Sequence, residues 1–119
     1  HVLKGGKILS PAFHVYDQQG VCVFGTNDID PQWRSRIRES GCYISRVGIP
    51  GNLLAEGTFY VSVAMFGPLT GETHLIENSA ISFNIFDSVT GDSARGDYTG
   101  AMIGVMRPLL DWTTEFKPD

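Results

Sequence analysis

Gly57–Phe66 reads GTFYVSVAMF, and its parity decides how the whole chain is understood. Phe59, Val61, Val63 and Met65 fall on one side, and Thr58, Tyr60, Ser62 and Ala64 on the other. A period of two over this length marks an extended strand with one buried and one wet face. The same scheme recurs upstream. In Ala12–Asp17 (AFHVYD), Phe13 and Val15 oppose His14 and Tyr16. Gln18-Gln19-Gly20 then reads as a turn, with Gly20 supplying a positive φ, and Val21–Thr26 (VCVFGT) returns as the partner strand of a hairpin. Downstream, Ala80–Asp87 (AISFNIFD) sets Ile81, Phe83 and Ile85 against Ser82 and Asn84. Two further strands are expected, at Gly41–Ile49 and within Gly104–Trp112, where Arg107-Pro108 marks an edge or an interruption.

Asp30-Pro31 offers a helix cap followed by proline at the first helical position, and Gly41 would close the segment. The pattern therefore predicts at most one short helix near residues 31–40, passing through Trp33 and Ile37, with an irregular loop as the alternative. Roughly six strands divided by Gly, Asn and Pro turns imply an all-β fold, an antiparallel β-sandwich of Ig-like or jelly-roll type. The length of 119 residues fits a single domain over 1–119. The chain opens at His1 without a signal-peptide pattern and reads as an excised domain.

Charge narrows the function. Nine Lys and Arg stand against 13 Asp and Glu, a net charge of −4, which disfavours binding to a nucleic-acid backbone. Arg34, Arg36, Arg38 and Arg46 lie close together and read first as a solvated surface, second as a contact for an acidic partner. The two cysteines, Cys22 and Cys42, are too few for a disulfide framework. Free, partly buried thiols in a reducing compartment are expected, with a single cross-strand disulfide as the alternative.

The catalytic inventory is thin. His1, His14 and His74 lack the spacing of a metal site, and Cys22 and Cys42 lack C-x-x-C spacing, so no metal and no cofactor are expected. No nucleophile elbow, P-loop or dinucleotide fingerprint occurs. Glu56, Glu72, Glu77, Asp87, Asp92 and Asp97 read as solvated acids, and the domain is not expected to be an enzyme. Arg95-Gly96-Asp97 reads as part of a turn-rich loop with an internal ion pair rather than as an adhesion signal.

The wet face is more informative. His14, Tyr16, Tyr60, Ser62, Ser82 and Asn84 should all point away from the core, with Trp33 as a rim aromatic or, equally, packed under its own loop. Saccharides offer apolar C–H faces and many hydroxyls. Aromatic rings and short groups that both donate and accept hydrogen bonds answer both needs. These seven residues are the candidate carbohydrate-binding set; the competing reading is of ordinary solvent-facing strand residues.

Three strings resemble one family. IPGNLLAEGTFYVSV (Ile49–Val63), AFHVYDQQGVCVFGTN (Ala12–Asn27) and GDSARGDYTGAMIGVMRPLLDW (Gly91–Trp112) are similar, in family order, to segments of the C-terminal domain of Wzt. Wzt is the ATPase subunit of bacterial ABC transporters that export O-antigen polysaccharide. The resemblance implies a dimerising β-sandwich that binds the exported glycan without catalysis, in the cytoplasm at the inner face of the inner membrane. It also implies partnership with the transporter's ATPase and membrane subunits. The family has further strands before the segment matching Ala12, where this chain has only Val2–Ser10, so those strands are truncated or a partner supplies the missing edge. The family's sugar-binding residues lie outside the matching strings and are not carried over. The alternative function is a dimerisation or assembly module without sugar contact. Its motivation is the apolar tail with Gly104, Val105, Met106, Leu109, Leu110 and Trp112, which suits a homodimer through the C-terminal segment.

Overall fold

The computed structural model describes residues 1–118. Among them no helix forms, so none is long and apolar enough to cross a membrane. Six strands follow one another: β1 (Lys7–Ile8), β2 (Ser10–Tyr16), β3 (Cys22–Asn27), β4 (Ile37–Arg38), β5 (Gly57–Phe66) and β6 (Thr73–Ile85). The fold is all-β, with one sheet in the order β3-β2-β5-β6 and a second made of β1 and β4. The chain gathers into two compact units, His1–Gly48 with Gly57–Asn84, and Ile49–Glu56 with the stretch from Ile85 on.

In the first unit β2 is the central strand. It runs antiparallel to both β3 and β5, and Val15 lies opposite Phe24 on one side and Val61 on the other. Val15 is completely buried. Phe13 meets Phe24 edge to face at 6.2 Å, and Phe59 stacks on Phe83 at 5.6 Å between ring centroids. The odd-numbered face of β5 is sealed at Phe59 and Val61 but not beyond, since Val63 is 36% exposed, and Ile81 on β6 is 61% exposed. Ile81 follows Ser79, whose φ of 50° breaks the alternation of the edge strand β6.

The β2–β3 turn forms as expected, with Gly20 at φ 80°. Its organiser is Asp17, whose Oδ1 accepts the backbone N–H groups of Gln19 and Val21, both at 2.9 Å. A carboxylate that ties down its own following turn holds the hairpin register.

At residues 31–40 the irregular alternative holds, and three other expectations are corrected. No helix propagates there. Asp30 Oδ1 does accept Gln32 N–H as a cap would, and Asp30 O accepts Trp33 and Arg34 N–H, but residues 31–35 form only a turn. The chain then extends into β4, where Arg38 is drawn into the interior. Gly41–Ile49 forms no strand beyond a single bridge between Val2 and Gly41. Its apolar side chains Ile44 and Val47 stay exposed, and Tyr43 is held instead by donating to Glu39 O at 2.9 Å. Gly104–Trp112 likewise contributes only the Leu54–Met106 bridge. Both cysteines are free and exposed rather than partly buried.

Arg38 departs from the reading of a solvated arginine cluster. It is 2% exposed, pairs with Asp28 at 3.5 Å, and donates from Nε to Leu9 O at 3.2 Å. Its guanidinium lies over Tyr43 at 4.8 Å and over Trp33 at 5.2 Å, while Arg36 covers Trp33 at 4.8 Å. Trp33 and Tyr43 meet edge to face at 5.2 Å. A planar cation between aromatic faces keeps favourable electrostatics where water is excluded. Arg34, Arg36 and Arg46 remain exposed.

In the second unit, Ile49–Glu56 is tied to the C-terminal stretch by Ala55 N–H donating to Val105 O at 2.8 Å and Arg107 N–H to Leu53 O at 2.7 Å. Leu54 and Ala55 are buried there.

Candidate functional site

The antiparallel register of β2 and β5 assembles a ladder of cross-strand pairs on the even-numbered face. Tyr16 lies opposite Tyr60, His14 opposite Ser62, Ala12 opposite Ala64, and Ser10 opposite Phe66. Directly opposed residues have Cβ atoms roughly 5 Å apart and share a face. The parity read from Gly57–Phe66 and Ala12–Asp17 therefore brings four of the seven candidates side by side.

His14, Tyr16 and Ser62 line a trough of about 670 Å³ on this face. That lies inside the usual range for ligand sites, ~300–1,000 Å³. Ala12 and Ala64 form its low floor, and Ile76 and Asn78 of β6 close one flank. His14 leans over Gly25, its partner on β3, and a Cβ at Gly25 would collide with the imidazole. Glycine inside a strand often marks such a close approach. The His14 and Tyr16 rings meet edge to face at 6.4 Å. Ser62 Oγ accepts the backbone N–H of Ser79 at 3.1 Å, so its own proton is free to point elsewhere.

The other candidates are distributed around this trough or away from it. Tyr60 is 37% exposed, so its ring is available beside Tyr16. Asn84 is exposed and accepts the Thr58 hydroxyl at 2.6 Å on the strand position before Phe59. Ser82 is exposed on β6 and is not among the residues lining the trough. Trp33 is not there either, because it packs against Tyr43, Arg36 and Arg38 within its own loop. Among the residues that sequence reasoning passed over are Ala12, Gly25, Asn27, Ala64, Ile76 and Asn78. Gly25 alone carried a signal, as a glycine interrupting a strand pattern.

The second unit holds the densest charge cluster. Glu56 accepts Arg107 Nη1 at both carboxylate oxygens, at 2.8 and 3.1 Å, and accepts Arg95 Nη2 as well. Arg95 also donates to the carbonyls of Tyr98 and Gly100, so the loop of Arg95-Gly96-Asp97 is internally bonded. Its ion pair goes to Glu56, while Asp97 stays exposed. The Glu56 carboxyl is held down to about 2, chiefly by its own backbone N–H and, against the opposing effect of burial, by the two arginines. Asp87 is also lowered, by hydrogen bonds from the Ser93 hydroxyl and the Val89 N–H. Arg107 is 6% exposed, and its Nε is buried without a partner. Each arginine donates to backbone carbonyls as well as to Glu56, which is the pattern of a structural clamp. Among the described residues, no three His, Cys, Asp or Glu side chains converge to hold a metal ion.

Compared with known proteins, the chain matches no family model and no curated protein.

Proposed function

We propose that the trough on the even-numbered face of β2 and β5 is a saccharide-binding surface, and that the chain is a non-catalytic glycan-binding module. The observation that carries this reading is the ladder itself. It sets an aromatic pair, Tyr16–Tyr60, next to a hydrogen-bonding pair, His14–Ser62, on an open face. Rings supply stacking surface for C–H groups, and the neighbouring imidazole and hydroxyl both donate and accept. The resemblance to Wzt C-terminal domains supplies the glycan and the setting. The glycan is O-antigen polysaccharide awaiting export, met at the cytoplasmic face of the inner membrane beside the transporter's ATPase and membrane subunits. The four-stranded sheet would then be one layer of the expected sandwich.

Isothermal titration with O-polysaccharide tests the reading. Heat of binding is expected, with little dependence on salt because no ion pair is made. Tyr60→Ala and His14→Ala should weaken binding while leaving the melting temperature nearly unchanged. Absence of heat and of NMR shifts at millimolar repeat units would overturn the proposal.

A second reading is favoured by one feature of the C-terminal stretch. Ile103, Trp112 and Phe116 are 97%, 86% and 84% exposed, an apolar display suited to a neighbouring subunit. In that reading the chain is an assembly module that dimerises through this segment. Light scattering with and without residues 104–119 separates the two, since loss of the dimer with glycan binding intact would divide the functions between the two units.

A further inference from the structure

The trough's lining has a chemical bias beyond its suitability for sugars. Among the described residues that line it there is no Lys, Arg, Asp or Glu. Its hydrogen-bonding side chains are the His14 imidazole, the hydroxyls of Tyr16, Thr26, Ser62 and Thr73, and the amides of Asn27 and Asn78. Its floor is the Ala12–Ala64 pair, two methyl groups set side by side between taller neighbours. The molecule around it carries a net charge of −4.

We propose, resting on the saccharide reading above, that this surface selects uncharged glycans and rejects those bearing uronate or phosphate groups. A pyranose ring laid across Ala12 and Ala64 puts C–H groups against methyls and its hydroxyls within reach of His14 and Ser62. A carboxylate in the same place gives up hydration and meets no cation. Removing a charge from water without a partner is costly, whereas a hydroxyl finds replacements among the amides and the imidazole. The acidic molecule adds a longer-range repulsion that salt screens, but the local desolvation is short-ranged and survives salt. Two components with different salt dependence make the selectivity distinguishable from simple charge repulsion.

The test uses a panel of neutral hexose oligosaccharides of several stereochemistries. Each is titrated beside its counterpart oxidised at C6 to the uronate, at low salt and again at high salt. A neutral member should bind, and its uronate counterpart should bind about tenfold more weakly, with a gap that narrows at high salt without closing. Asn27→Lys places a cation at the trough's rim on an exposed position and should shrink that gap without changing the melting temperature. Uronates that bind as tightly as their neutral partners, or more tightly, would overturn the selectivity and leave the saccharide reading standing. Binding by no member, neutral or anionic, would overturn the saccharide reading and this inference with it.

Discussion

Arg107 donates from a single Nη1 to both carboxylate oxygens of Glu56, at 2.8 and 3.1 Å, across 51 positions of sequence. The pair closes the second unit by joining the segment before β5 to the C-terminal stretch. Arg107→Met should therefore lower stability by about 2 kcal/mol, because a buried guanidinium leaves and Glu56 keeps only Arg95. Hydrogen exchange of the Ala55 and Arg107 amides, both bonded within that unit, reads the effect there.

The same cluster sets an acid dependence. Glu56 titrates at about 2 in the folded chain against an ordinary 4.5, so the unfolded chain takes up its proton first. A lowered carboxylate contributes stability that is whole above about pH 4.5 and is lost as pH falls towards 2. Glu56→Gln should flatten that part of the stability curve. Thermal melts of the parent and the variant between those two pH values should converge as the pH falls.

Gly25 is the test of how the trough is built. Gly25→Ala puts a methyl group where the His14 imidazole now lies, so the ring must swing aside. Strand glycines are weak points, and alanine should leave stability unchanged or slightly raised. Glycan binding should nevertheless fall, and the His14 ring resonances should move in NMR spectra. Combining Gly25→Ala with His14→Ala should cost little more binding than His14→Ala alone, since both changes act on one ring.

Two loops make separate predictions about the first unit. Asp17→Ala removes the acceptor of two backbone N–H groups and should cost about 1–2 kcal/mol by urea denaturation.

Arg38→Met keeps length and apolar packing but leaves Asp28 and the Leu9 carbonyl without their donor. A loss of roughly 2–3 kcal/mol is expected, together with a change in Trp33 emission as its stacked cation disappears.

The sequence disclosed those strands that burial marks on one face only. β2 and β5 alternate because Val15, Phe59 and Val61 are sealed while His14 and Tyr60 are not. The first part of β6 was invisible for the converse reason. Every residue from Thr73 to Ser82 is exposed, so nothing there imposes a period of two. The candidate site was legible to the extent that parity governs it, and pairing β2 with β5 in register completed it. Trp33 was ambiguous because its surroundings are set by Arg38 and Tyr43, which lie a few residues further on and reach its ring only as the chain folds back. Arg38 looked solvated for the same reason, and so did Glu56. A buried charge is recognisable only from its partners.

Ser79 interrupts the outermost strand of the large sheet with a left-handed backbone, and its N–H is already committed to the Ser62 hydroxyl. A 13-residue rim, long enough to template fibrils, is thereby cut into two short runs that cannot be zipped along in one register. The kink thus protects the molecule against self-association through that rim, and it leaves the free border of the sheet as a place where stacking of copies stalls rather than spreads.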